Sequence, residues 1–228
     1  MNKKYKLAAS LICGSHINFE KDIKLLEKGG IDYIHFDVMD GNFVPRYGLY
    51  PELLRAIKKI TDIPIDVHMM SEDPARYVLD FSKAGADIIA IHAESCKHLH
   101  YVIKLIKELG SKAGVVLNYS TPLDILDYIM DDLSLVELMA INPGIVGHKI
   151  IPGIMKKIAD LRKKIDNSTN KDIIIEIDGG VTLESAPEMI KAGADLLVCG
   201  TSCIFKPDVT VDIKIGEFKD HINKELSK

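Results

Sequence analysis

The chain has 228 residues, 47% hydrophobic and 27% charged, a composition that builds one sizeable core and requires no second domain. Its formal charge of −4, with Lys and Arg scattered rather than clustered, sets aside nucleic acid and anionic membranes as partners and leaves small molecules. Cys13, Cys96, Cys199 and Cys203 lack a CxxC spacing and read as reduced thiols of a cytoplasmic protein. The opening MNKKYKLAAS carries no apolar run that would mark a signal peptide or membrane span.

Strand-length apolar runs alternate along the chain with amphipathic, helix-length stretches. The predicted strands are KLAASLI (6–12), IDYIHFDVM (31–39), PIDVHMM (64–70) and ADIIAIHA (86–93), then KAGVVLN (112–118), LVELMAIN (135–142), IIIEIDG (173–179) and LLVCG (196–200). Between them, FEKDIKLLEK, PELLRAIKK, HLHYVIKLIKEL and LESAPEMIKA repeat apolar residues near every third or fourth position. KGGID (28–32), KAGAD (83–87) and KAGAD (191–195) each end a helix and launch a strand, the glycine fitting a left-handed helix end. Their spacing is close to two and four βα units of roughly 27 residues each. Eight strands and eight helices in this order predict one (β/α)8 barrel over residues 1–228. No GxGxxG or GxxxxGK follows the first strand, so an open doubly wound sheet is the weaker reading.

In such a barrel the functional groups gather where strands end. Those positions carry Ser10, His35 with Asp37, His68, His92 with Glu94, Asn118, Asn142, Glu176 with Asp178, and the Gly200-Thr201 step. Residues two apart on a strand share a face, so His35 and Asp37, Asp66 and His68, and Glu176 and Asp178 converge if that face is inward. Two imidazoles and two carboxylates from three strands suit a divalent transition metal, with Asp66 and Glu176 orienting the histidines from below. Asp37 and Asp178 then read as an acid and a base on opposite faces of a ketose, which inversion at carbon requires. Glycines in NPGIVGHK (142–149), DGGV (178–181) and VCGTS (198–202) fall after strands six, seven and eight, where this fold commonly binds phosphate. No organic cofactor is required by this chemistry.

ASLICG, HFDVMDGNFVP, DVHMM, NPG, EIDGGV and GTS, in this order and spacing, resemble the ribulose-phosphate 3-epimerase family over nearly the whole chain. The resemblance implies a TIM barrel of the ribulose-phosphate-binding type. It implies an isomerase that interconverts D-ribulose 5-phosphate and D-xylulose 5-phosphate in the pentose phosphate pathway, through a metal-bound enediolate. Carried over residue by residue, it implies that His35, Asp37, His68 and Asp178 hold one divalent metal, zinc first and iron, manganese or cobalt next, and that Asp37 and Asp178 are the acid/base pair. It further implies substrate contacts from Ser10 and His68, an apolar cover of Met39, Met70 and Met139, and phosphate contacts at Gly144, Gly147, Gly179, Gly180, Gly200 and Thr201. A homo-oligomer, dimer or hexamer, is implied as well.

The sequence departs from the family at Ala9, where a proline is usual, at the loop Gly144-Ile145-Val146-Gly147-His148, where the family has G-F-G-G-Q, and at Arg46 and Tyr50. The similar allulose-6-phosphate 3-epimerases are therefore kept as an alternative, and a non-catalytic sugar-phosphate-binding barrel as a second. The related barrel decarboxylases and hexulose-phosphate synthases use a lysine in an Asp-x-Lys-x-x-Asp arrangement, and DVMD at 37–40 has none.

Overall fold

The computed structural model describes residues 5–145 and 149–228. Eight parallel strands close into a barrel in chain order, with the last pairing back onto the first. They are β1 (Lys6–Ser10), β2 (Tyr33–Met39), β3 (Ile65–Met70), β4 (Ile88–His92), β5 (Lys112–Leu117), β6 (Leu135–Met139), β7 (Ile174–Asp178) and β8 (Leu196–Cys199). The helices are α1 (Phe19–Gly29), α2 (Pro51–Ile57), α3 (Val78–Ala84), α4 (Leu99–Glu108), α5 (Ile154–Asp166), α6 (Ser185–Ala192) and α7 (Val211–Leu226). The barrel expected from the βα alternation is present, with one correction to the count of eight helices. Among the described residues there are seven α-helices, and the β5–β6 connection carries short 3-10 turns at Leu123–Leu126 and Met130–Asp132 instead. Pro122, Asp124, Asp127, Asp131 and Asp132 make that stretch a poor helix former, while Leu126, Ile129 and Met130 still bury against the sheet side of the core.

Strands are shorter than the apolar runs that predicted them. β2 opens at Tyr33 rather than 31 and β6 closes at Met139 rather than 142, because buried loop residues such as Ile31 and Ala140 extend the hydrophobic run beyond the ladder.

The AGAD-like repeat has a definite job. Gly30 and Gly85 end α1 and α3 with φ of 68° and 105°, a conformation that costs glycine little. The aspartates that follow each accept a backbone N–H at the start of the preceding strand: Asp32 from Leu7 (2.9 Å), Asp87 from Ile65 (2.7 Å) and Asp195 from Ile175 (3.0 Å). Each repeat thus pins two neighbouring strands at the end of the barrel opposite the site.

Side-chain alternation splits the interior into two apolar sets. Leu7, Phe36, Val67, Ile89, Val115, Val136 and Ile177 belong to the larger cluster shared with the helices. Ala8, Tyr33, Ile88, Ala90, Val116, Leu135, Met139, Leu196 and Val198 form a second cluster within the barrel. Above that floor the barrel becomes polar, with His35, Asp66, His68, His92, Glu137 and Glu176 all fully buried. Among the described residues no helix is long and apolar enough to cross a membrane.

Candidate active site

Strand register decides which side chains meet. His35 lies opposite Ser10 on β1 and Asp66 on β3, Asp37 lies opposite His68, and Met39 opposite Met70. On the other side of the barrel Glu137 pairs with Glu176 and Met139 with Asp178. Partners in a parallel ladder face the same way, so these positions stack into inward layers.

In the upper layer the His35 Nε2 sits 3.5 Å from Asp37 Oδ1. His68 Nδ1 sits 3.7 Å from the same oxygen and 3.8 Å from Asp178 Oδ2. Ser10 donates its hydroxyl to the other Asp37 oxygen at 2.8 Å. Beneath them, His35 Nδ1 is 2.9 Å from Asp66 Oδ2 and 3.5 Å from Glu176 Oε1. The ligand atoms of His35, His68, Glu137 and Asp178 all lie within 4.8 Å of one another, and those of His35, Asp66 and Glu176 form a second such group.

Electrostatics make this arrangement favourable to a cation. Five carboxyl groups, Asp37, Asp66, Glu137, Glu176 and Asp178, crowd around the imidazoles, and buried acids without a compensating charge are strongly disfavoured. Burial first, then the charges of neighbouring acids, push Glu137 and Glu176 well above the carboxylate range. Burial raises Asp178 to about 6, reinforced by Asp37 and opposed by His35. Burial pulls the His35 imidazole down, but Asp37, Asp66 and Glu176 outweigh it and hold it well above the ordinary value. Burial keeps His68 well below, helped by His92 and His35. Among the described residues, His35 Nε2 and His68 Nδ1 are buried without a hydrogen-bond partner, as are both oxygens of Glu137. Two unpartnered imidazole nitrogens facing two carboxylates are the donor set of a divalent metal.

Over this cluster opens a cavity of about 870 Å³. Ser10, Asp37 and Asp178 line its floor, and Met39, Met70 and Met139 line its wall. Gly144, Gly179, Gly180, Gly200 and Thr201 line it too, so the predicted phosphate loops and the acid pair share one space. Gly147 lies outside the described residues, as do Val146 and His148. Gly179 and Gly180 have φ of 89° and 66°, and a Cβ on Gly179 would stand 2.3 Å from Ile141 Cγ1. That turn therefore brings bare backbone to the cavity. Arg46 lines the same cavity from the β2–α2 loop, whereas Tyr50, also a departure from the family, is exposed.

Two groups escaped the sequence reading as participants. Glu137 stands 3.1 Å from His68 Nδ1; a glutamate inside LVELM was the available signal, of the same kind as His35 inside IHFDV. His92, noted only as a strand-end residue, has its Nε2 2.9 Å from His68 Nε2 and its Nδ1 3.0 Å from Glu94 Oε2. Asn142, noted with it, falls beyond β6 in the loop and does not line the cavity.

Fold and site together define a (β/α)8 barrel whose buried His/Asp/Glu cluster could hold a metal ion beneath a cavity lined by glycine-rich loops. Comparison with known proteins agrees. The Ribulose-phosphate 3 epimerase family matches residues 6–205, and the chain belongs to that family. The ribulose-phosphate 3-epimerase of Bacillus subtilis (strain 168) is 48% identical over 203 residues, covering 89% of this chain and 94% of that protein. That of Escherichia coli (strain K12) is 39% identical over 227 residues, covering 99% and 98%. Among solved structures, KGPDC from Streptococcus mutans superposes with a TM-score of 0.74 over 96% of this chain and 98% of its own. At 15% identity that likeness speaks for the fold alone.

Proposed function

We propose that the chain is a ribulose-phosphate 3-epimerase, an isomerase that inverts C3 between D-ribulose 5-phosphate and D-xylulose 5-phosphate. The observation that carries this reading is the placement of Asp37 and Asp178 at the cavity floor, each within 3.8 Å of the same His68 nitrogen. One carboxylate removes the C3 proton, giving an enediolate; the other delivers a proton to the opposite face of that carbon. Ser10, bonded to Asp37, holds one carboxylate in its rotamer. Met39, Met70 and Met139 put apolar surface against the reacting carbons and keep water away. Gly144, Gly147, Gly179, Gly180, Gly200 and Thr201 take the phosphate, whose position fixes C3 between the two acids.

His35, Asp37, His68 and Asp178 are the residues we assign to one divalent metal, zinc first, with iron, manganese or cobalt compatible with the same donors. Such an ion supplies Lewis-acid stabilisation of the charge that develops as the proton leaves. Glu137, deeper and fully buried, is assigned below the metal rather than to it. We further assign the whole of 1–228 to one domain, the protein to the cytoplasm on its four free thiols, and the assembly to a homo-oligomer, dimer or hexamer, that sedimentation measurements resolve.

The pentulose substrate is favoured over allulose 6-phosphate because the relatives named above are ribulose-phosphate 3-epimerases. The intact acid pair weighs against a non-catalytic binding barrel. The test incubates metal-replete protein with each ketose phosphate in D2O and follows C3 by NMR. Deuterium at C3 with inverted product, faster from ribulose 5-phosphate, is expected. Faster exchange of the hexulose phosphate would rename the substrate, and no exchange with either would sink the enzyme reading.

A further inference from the structure

We infer that His92 and Glu94 are positioning residues that fix the tautomer of His68, so that its Nδ1 presents a lone pair to the metal-binding cluster. The inference rests on the reading of His68 as a metal ligand. Its basis is a continuous chain of hydrogen-bonding atoms from the barrel centre to the β5–β6 loop.

The chain is read from its outer end. Glu94 uses Oε1 to accept the Asn118 backbone N–H at 2.8 Å and the Thr121 hydroxyl. Its other oxygen, Oε2, is 3.0 Å from His92 Nδ1. A carboxylate only accepts, so the proton between them sits on His92 Nδ1. The neutral His92 ring then has a lone pair at Nε2. That atom faces His68 Nε2 at 2.9 Å, and of two ring nitrogens at such a distance one must donate and the other accept. His68 therefore donates from Nε2, and its lone pair falls on Nδ1. Nδ1 is the atom that faces the cluster, with Glu137 Oε1 at 3.1 Å, Asp37 Oδ1 at 3.7 Å and Asp178 Oδ2 at 3.8 Å, and none of these makes a hydrogen bond of good geometry with it. The loop that holds Glu94 is itself held from the other side: Lys157 Nζ donates to the carbonyls of Asn118, Tyr119 and Thr121 at 2.6, 3.0 and 2.8 Å.

Glu94→Gln tests the relay because its amide orientation is dictated. The Asn118 N–H can only donate and captures the amide oxygen, and the Thr121 hydroxyl is able to donate to that oxygen as well. The NH2 group must then face His92 Nδ1, reversing each tautomer in turn and placing a proton on His68 Nδ1. Cobalt(II) is titrated against a chromophoric chelator into the wild type and E94Q, and the visible spectrum of the bound ion is recorded. E94Q is expected to bind cobalt about 10–100-fold more weakly, as loss of an orienting partner typically does, with a displaced cobalt band and an unchanged far-UV circular dichroism spectrum. Asp87→Ala, at the opposite end of the barrel, serves as the control for lost stability and keeps wild-type cobalt affinity.

Cobalt affinity and spectrum in E94Q equal to wild type would overturn the relay while leaving the metal site standing. A wild type that takes up no cobalt would overturn both. A second measurement needs no variant: two-bond 1H–15N correlation on the metal-free wild type reads the tautomers directly. Protons on His92 Nδ1 and His68 Nε2 support the inference, and the reverse pattern refutes it.

Discussion

Asp178 and Asp37 carry the sharpest consequences of the site. An amide at 178 keeps the shape of the carboxylate but cannot take a proton, so Asp178→Asn should lower turnover by about 10²–10⁴-fold, the usual worth of one acid/base group. Coupled assay and thermal melting check that the loss is chemical and not structural. The cluster also poses a choice between Asp37 and Glu137 as the fourth metal donor, since both carboxyls stand close to His68. Glu137 lies opposite Glu176, one layer below Asp178, fully buried and away from the cavity that Asp37 lines, which places it beneath the metal rather than beside the substrate. Glu137→Gln should therefore keep wild-type metal content on elemental analysis, whereas Asp37→Asn should lose most of it; the opposite result would move the metal one layer down. At this scale His35, Asp37, His68 and Asp178 were legible because each is a costly residue in a strand. Glu137 was equally anomalous in its own strand. Its contact with His68 was not legible, because nothing local says which strands face across a barrel.

At the scale of elements, the repeated Gly-x-Asp step explains how successive strands keep their register. Asp87 accepts the Ile65 N–H at 2.7 Å and also meets Lys58 Nζ at 3.0 Å. Asp87→Ala leaves that strand-end N–H without its acceptor and should cost about 1–3 kcal/mol, seen as a lower urea midpoint with turnover per folded molecule unchanged. The repeat was visible in the sequence as punctuation. Its glycine role followed from backbone sterics alone, but its aspartate role depended on the neighbouring strand and so on the closed sheet. The missing eighth helix has the converse lesson. Counting βα units supplied the expectation, and local composition at 122–132 overrode it.

For the molecule as a whole, stability in acid should reflect the network at the mouth of β4. Burial raises the Glu94 carboxyl, but His92, Thr121 and the Asn118 N–H more than offset this and hold it at about 2, below its ordinary 4.5. A carboxyl lowered on folding stabilises fully above the unfolded value and loses that contribution as pH falls through the folded one. The stability gap between wild type and Glu94→Gln should therefore be constant above about pH 4.5 and shrink toward pH 2. Urea melts at a series of pH values measure it, and a gap that widened in acid would contradict the assignment.

By itself the sequence determined the alternation of strands and helices, the strand residues able to bind a metal or move a proton, and the glycine steps beside them, since period and residue type are local properties. The tertiary structure alone decided which of those residues meet. Closure of the sheet put His68 between Asp37 and Asp178, stacked Glu137 on Glu176, and linked His68 through His92 to Glu94. Contacts of that kind are set by shear and register around the whole barrel, which no single segment encodes.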